Sequence, residues 1–321
     1  MRAIQVNAHG GPEVLTYGEV PDPSPGPGDL LVETTSVGVN FIDTYLRRGL
    51  YPSQPPYIPG AEGAGVVRAV GADVTHFSVG DRVAWCDVPA SYAELVAVPE
   101  AKAARVPAEV SDEVAGTLLL QGLTAHYLLD GSAYPQAGDT ILVHAGAGGV
   151  GLLLTQLAHA KHLHVITTVS TDEKAELSKA AGATHVLRYA PDLGAQVRRL
   201  TDGKGVRVTY DGVGRDTFDA SLSSTAIRGT VVVFGAASGP VPPFDLQRLN
   251  TSGSLSLTRP TLAHFISDPD EFRWRAGEIF DAVQSGKLSP RVGQTYPLAE
   301  ASQAHTDLES RATTGSIALI P

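Results

Sequence analysis

The sequence predicts a two-domain α/β protein: a doubly wound, parallel six-stranded sheet inserted into a β-rich region that the end of the chain completes. Three observations carry this expectation. The 321 residues exceed the usual length of one domain. Six short apolar runs between residues 140 and 258 alternate with helix-patterned segments, the grammar of a parallel sheet with both faces covered. Residues 1–123 instead read as short strands broken by Gly and Pro, and strand character returns in the tail. The expected boundaries are 1–123 with 263–321 for one domain, and 124–262 for the other.

In order, LLVETTSV, GAGVVRAV, DRVAWCDV and AELVAVP are strands separated by stretches such as PDPSPGPGD and PSQPPYIPG. SDEVAGTLLLQGLTAHYLL (111–129) reads as a buried helix with Ser111 as N-cap. DTILVHAG is a strand, and Val150, Leu153, Leu154 and Leu157 mark the face of the helix after it. HVITTVS, TDEKAELSKAAG and HVLRY follow as strand, helix and strand. Pro191 starts a further helix with Leu193, Val197 and Leu200 turned inward. VRVTYDGVG, GTVVVFGAA and GSLSLT supply the last three strands of the sheet. Asp268, Pro269 and Glu271 open a helix whose apolar face is Phe272, Ala276, Ile279, Phe280 and Val283, with Gly286 as its stop.

Composition narrows the function. A net charge of −10 and the absence of any basic run disfavour a nucleic-acid partner. One cysteine, Cys86, excludes an intrachain disulfide, fits a reducing compartment and cannot build a four-thiolate zinc site. It sits in a strand-like run and reads as a small buried residue. MRAIQVNAHGGPEVL has no apolar core of a signal peptide, and no apolar run is long enough to span a membrane. A cytoplasmic protein is expected. The ten histidines do not cluster at ligand spacing, and His162 and His164 read as a polar strand face, so no metal is expected.

HAGAGGVG carries G-x-G-x-x-G at Gly146, Gly148 and Gly151, directly after a strand and opening a helix. That context makes it a Rossmann dinucleotide loop, with glycines for a tight turn, for approach of a pyrophosphate and for helix–strand packing. Unsatisfied N–H groups of the helix N-terminus then face the phosphate charge. An NAD site places a carboxylate near the end of the second strand; here Ser170 and Thr171 stand there, with Lys174 after them. This favours NADP(H). Ser170-x-x-Glu173 is also a capping box, which is compatible with phosphate contact. Asp172 and Glu173 weigh the other way.

Together HGGPEVL, GVNFIDTYLRRGLYP, PGAEGAGVV, LLQGLTAHYLL, HAGAGGVGLL, YDGVGRDTFDASL, FGAASG, LTRP and ESRATTGS resemble the zinc-free NADPH:quinone oxidoreductases, the ζ-crystallin-like branch of the medium-chain dehydrogenases/reductases. The resemblance runs nearly end to end. It implies a GroES-like catalytic domain carrying the inserted Rossmann sheet. Zinc members of the superfamily put Cys in place of Asn40 and Gly-His-Glu where this chain has Gly60-Ala61-Glu62, so two usual zinc ligands are missing. By resemblance Asn40, Phe41, Ile42, Asp43 and Tyr45 lie at the nicotinamide–ribose end of the cofactor, and Thr124 is a further cofactor contact. Gly146, Gly148, Gly149, Val150 and Gly151 form the phosphate loop. Ser170, Thr171, Lys174 and Tyr189 meet the adenosine phosphate, and Phe234, Gly235, Thr258, Arg259 and Arg311 complete the cradle. Many members carry Lys where this chain has Gln121 and Ser316.

The expected reaction is hydride transfer from NADPH to a quinone, which needs positioning rather than a Lewis acid. Asn40, Tyr45 and Tyr51 are the candidate donors to the developing oxyanion. The structural alternative has Tyr45 packing with Phe41 at i, i+4 and Asp43 pairing with Arg47 at the surface, with Arg47 and Arg48 mainly solvated. A same-chemistry alternative is reduction of an α,β-unsaturated carbonyl. A different class is an NADPH-binding structural or RNA-associated protein. GSLSLT is an uncharged edge strand and is expected to pair two copies into a homodimer.

Overall fold

The computed structural model describes residues 1–321, which divide into two compact units. One comprises Met1–Gln121, Ile266–Gly286 and Pro290–Pro321; the other comprises Gly122–Phe265 and Lys287–Ser289.

The first unit is β-rich. Strands β1 (Arg2–Val6) and β2 (Leu15–Glu19) pair antiparallel, and β3 (Asp29–Val39) is the long central strand of the main sheet. Helix α1 (Phe41–Arg47) follows it at once. Strands β4 (Glu62–Val70), β5 (Arg82–Cys86), β6 (Leu95–Pro99) and β7 (Ala103–Arg105) come next, then helix α2 (Asp112–Tyr127). Gly116 lets α2 ride directly on β3, since a Cβ there would stand 2.6 Å from the Ser36 side chain.

The second unit holds the six parallel strands. They are β8 (Thr140–Val143), then α3 (Gly149–Ala160), β9 (His164–Val169), α4 (Asp172–Ala180), β10 (His185–Arg188) and α5 (Leu193–Leu200). β11 (Val206–Asp211), α6 (Phe218–Ser224), β12 (Thr225–Val233), α7 (Gln247–Thr251), β13 (Ser256–Thr258) and α8 (Leu262–Phe265) complete it. The order β10-β9-β8-β11-β12-β13 reverses direction between β8 and β11, the switch point at which doubly wound sheets bind ligands. Val165, Ile166, Val208, Val231 and Val232 are fully buried, as strands covered on both faces require.

Back in the first unit, α9 (Pro269–Gln284) starts where Asp268 accepts the N–H groups of Asp270 and Glu271. It buries Phe272, Ala276, Ile279 and Phe280, and Gly286, at φ +73°, ends it. β14 (Val292–Pro297), α10 (Ala301–Glu309) and β15 (Ser316–Ile320) close the chain. β15 pairs with β3, so the last strand completes the sheet begun by the third.

Three local expectations are corrected. The tail is not all strand, because Ala301, Ala304, His305 and Leu308 form the buried face of α10. Leu200 is exposed rather than inward, since α5 ends there. Thr171, not Ser170, caps α4: its side chain accepts the N–H of Lys174, so the Ser170–Glu173 box does not form.

Candidate functional site

The expected site residues fall into two groups, one in each unit. In the β-rich unit they gather at the start of α1. Asn40 is its N-cap residue, in extended conformation, and Asp43 Oδ2 accepts the Asn40 backbone N–H at 2.8 Å. The Asn40 side chain is used elsewhere. Its Nδ2 donates to Glu62 Oε1 at 2.6 Å, and its Oδ1 accepts from Gln121 Nε2 at 3.1 Å. Tyr45 packs between Phe41 and Tyr51, with ring centroids 6.3 and 5.4 Å away, and Ile42 is half-buried beside them. Arg311 lies on the turn after α10 with φ +59°.

Asp43 does not pair with Arg47 at the surface, and Arg47 is not solvated. Both are buried, and they reach different partners. Asp43 accepts from Tyr92 Oη. Arg47 donates to Gly10 O, to His305 Nδ1 and to Glu309 Oε2 at 2.7 Å. Arg48, by contrast, is exposed as expected. Burial without a cationic partner pushes the Asp43 carboxyl up to about 7 and the Glu62 carboxyl up to about 8.

In the sheet unit the loop between β8 and α3 carries the glycines. A Cβ on Gly146 would stand 2.5 Å from Thr167 Cβ, and one on Gly151 would stand 2.2 Å from the Ala145 carbonyl. Gly148 differs: its nearest neighbour would be 3.4 Å away, so that face of the backbone is open. Two glycines thus serve packing and one leaves the approach that a pyrophosphate needs, while Gly149 and Val150 begin the helix with free N–H groups. Tyr189 Oη accepts the Ala145 N–H, and its ring stacks at 6.3 Å on His144.

Ser170 and Thr171 are exposed at the end of β9, and Lys174 is half-buried in the first turn of α4. Gly235 follows β12 so closely on Gly212 that a Cβ would meet its carbonyl at 2.5 Å. Phe234 lies over Gly212, and Thr258 ends β13, with Arg259 after it donating to Pro260 O. Thr124 is buried in α2.

Behind the loop, sequence reasoning missed a buried network. His144 bonds Thr168 Oγ1 and Ser221 Oγ, and Ser221 donates to Asp211 Oδ2 at 2.7 Å. Asp211 also accepts from Thr217 and from the N–H groups of Val213 and Gly214. Because Ser221 spends its proton on Asp211, His144 must donate from Nε2 and accept at Nδ1. The network ties the carboxyl ends of β8, β9 and β11 together. His144 and Asp211 flank the glycine motif and the YDGVG run, and a polar residue ending an apolar strand is the signal that marks them. Glu62, a carboxyl inside the apolar GAEGAGVV, carried the same signal.

No group of three or more His, Cys, Asp or Glu side chains converges as a metal site. At the position of the family's zinc, the amide of Asn40 and the carboxyl of Glu62 are bonded to each other, and Cys86 is buried with its thiol pushed up by burial. That donor set does not fit zinc.

Two family models match, the alcohol dehydrogenase GroES-like domain over residues 26–108 and the zinc-binding dehydrogenase domain over residues 149–276. A quinone oxidoreductase of Pseudomonas aeruginosa is 45% identical, with 100% of this chain and 99% of that protein covered. The chain belongs to the quinone oxidoreductase family of medium-chain dehydrogenases/reductases. Within this family of quinone oxidoreductases, a mycobacterial protein solved in complex with NADPH is 54% identical, with a TM-score of 0.98 and 100% of both chains covered. A 2-haloacrylate reductase from a Burkholderia species is 41% identical over 99% of this chain and 98% of its own.

Proposed function

We propose that this quinone oxidoreductase family member reduces quinones with NADPH, the phosphate loop holding the cofactor and Asn40, Tyr45 and Tyr51 serving the acceptor. The observation that carries the reading is the end of β9, where hydroxyls and Lys174 stand in place of a carboxylate, beside a glycine loop open at Gly148. Ser170, Thr171 and Lys174 would hold the 2′-phosphate, and the N-terminus of α3 the pyrophosphate. Bound NADPH supplies a hydride from its nicotinamide. The chain's own part is to orient the acceptor, to exclude water and to offer the Asn40 amide and the two phenols to the oxygen that gains charge.

Residues 1–123 with 263–321 are assigned to the catalytic domain and 124–262 to the cofactor domain. β13 pairs only with β12, and its free edge is assigned to a second copy of the chain. No helix is long and apolar enough to cross a membrane, and the one cysteine is a buried thiol; we assign the protein to the cytoplasm.

The test is steady-state NADPH oxidation with a panel of quinones, run in parallel with NADH. Turnover with NADPH preferred is expected; no turnover with any quinone refutes the reading. The similarity to a 2-haloacrylate reductase favours an activated alkene as second acceptor, tested in the same panel. Faster turnover with enones than with quinones, lost in Tyr45→Phe, would replace the first reading.

A further inference from the structure

The Asn40 amide sits inside one chain of hydrogen bonds that has a single direction. Ser316 Oγ donates to Gln121 Oε1 at 2.8 Å, Gln121 Nε2 to Asn40 Oδ1 at 3.1 Å, and Asn40 Nδ2 to Glu62 Oε1 at 2.6 Å. All four residues are buried. The other carboxyl oxygen, Glu62 Oε2, accepts the backbone N–H of Leu120 at 2.8 Å. An amide has an acceptor on one side and a donor on the other, so each member is oriented by its neighbour.

The two ends of this chain differ. The Leu120 N–H can only donate, so Glu62 Oε2 must always accept. The Ser316 hydroxyl can donate or accept. Direction is therefore decided at Glu62 Oε1. A bare carboxylate oxygen accepts, and Asn40 turns its NH2 toward it. An oxygen bearing a proton donates instead, and the same three bonds re-form in reverse: Glu62 to Asn40 Oδ1, Asn40 Nδ2 to Gln121 Oε1, Gln121 Nε2 to Ser316 Oγ. No bond is lost on reversal.

We propose that Glu62 is a positioning residue whose protonation decides which way round the Asn40 amide stands, with Gln121 and Ser316 as the reversible remainder of the chain. The proposal rests on Asn40 as a donor to the reduced oxygen. In the direction observed, one Nδ2 proton goes to Glu62 and the second remains for a ligand. Reversal puts a carbonyl oxygen where that donor was. Gly38 makes the arrangement possible, because a Cβ there would overlap Glu62 Oε1.

The titratable groups that face Glu62 are Asp43, Cys86 and Tyr92. Burial holds Cys86 and Tyr92 in their neutral forms. Asp43 is pushed up to about 7 and Glu62 to about 8, so both change charge near neutral pH and a pH profile alone does not separate them. Glu62→Gln does. Its amide oxygen must face the Leu120 N–H, which leaves its NH2 for Asn40 Oδ1 and fixes the reversed direction at every pH.

The experiment uses the full chain. Asparagine occurs only at positions 7, 40 and 250, so selective 15N labelling gives three side-chain signals. The Asn40 signal, the one lost in Asn40→Ala, is expected to titrate with a midpoint near 8 in the unmutated protein. In Glu62→Gln it should stay at the low-pH position throughout. At pH 9, above the Glu62 midpoint, the kcat for quinone should be about tenfold lower in Glu62→Gln than in the unmutated protein, the size of one hydrogen bond to a developing charge. The two should converge as pH falls below 7, with NADPH Kd unchanged. Asn40→Ala combined with Glu62→Gln should lose no more than Asn40→Ala alone. An Asn40 signal that does not move between pH 6 and 9.5 overturns the proposal, and this reading needs no Glu62 variant to fold. So does a kcat at pH 9 that is the same in Glu62→Gln as in the unmutated protein beside a reduced one in Asn40→Ala. If Asn40→Ala itself keeps full activity, the donor role of Asn40 fails, and the amide titration still decides the orientation.

Discussion

Tyr92 donates its phenolic proton to Asp43 Oδ2 across 3.0 Å, in the fully buried ground beneath α1. The direction is fixed from the far side. Arg47 can only donate, so His305 Nδ1 accepts from it at 2.9 Å; His305 Nε2–H must then donate to Tyr92, also at 3.0 Å. The imidazole is therefore neutral. Burial and the Arg47 charge agree, holding it down to about 3.

This sets the pH dependence of stability. His305 falls from 6.5 to about 3 on folding, so its contribution is present above 6.5 and is lost as pH falls through that window toward 3. Asp43 rises from 3.8 to about 7 and Glu62 from 4.5 to about 8, so theirs is present in acid and lost as pH rises through those values. Between 4.5 and 6.5 the signs oppose. Above 6.5 only the two carboxyls act, each removing up to about 1.4 kcal/mol per pH unit within its window. Urea unfolding should show stability declining from pH 6.5 to 8, and Glu62→Gln should flatten that decline. A wild-type profile level across this range would contradict the assignment.

Arg47→Met should cost about 1–3 kcal/mol, because it leaves the buried His305 Nδ1 without its donor and the partly exposed Glu309 without its cation. Arg48→Met, one residue on and exposed, should change stability by less than about 0.5 kcal/mol. Equal effects of the two in chemical denaturation would show that the buried pairing is not what matters.

Gly151→Ala places a methyl 2.2 Å from the Ala145 carbonyl, which is backbone and cannot swing aside. The loop must open, and NADPH Kd should rise roughly tenfold or more while NADPH-independent stability falls by about 1–3 kcal/mol. Gly148→Ala has space for its methyl in the free protein, so it should keep stability and lose cofactor affinity. Fluorescence titration with NADPH beside thermal melts separates the two.

Lys174→Ala should lower NADPH affinity by about three- to tenfold and leave NADH affinity where it was, as expected for one cation against a 2′-phosphate at a partly exposed site. Equal losses with both cofactors would remove Lys174 from that role.

The parallel sheet was legible because its strands are unbroken apolar runs and its loop keeps three glycines in sequence. Helix α10 was not: its buried face is two alanines, one histidine and a single leucine, Leu308, too little large apolar surface to announce a core. Arg47 misled for a different reason. Its partners lie 258 and 262 residues away, so the local spacing to Asp43 offered a pair that the fold does not use. Asn40 could be named as a candidate from the resemblance, but the carboxyl that holds it lies at the start of β4, and no spacing connects the two.

Those distant partners also bear on biosynthesis. A chain leaving the ribosome presents Arg47 long before His305 and Glu309 exist, and the whole parallel sheet is made in the interval. Until the last helix emerges, the site helix carries a charge that the finished fold buries and the growing one must leave in water. The first segment of this protein is thus obliged to wait for α10, and a chain broken off before that helix would leave Arg47 without His305 and Glu309.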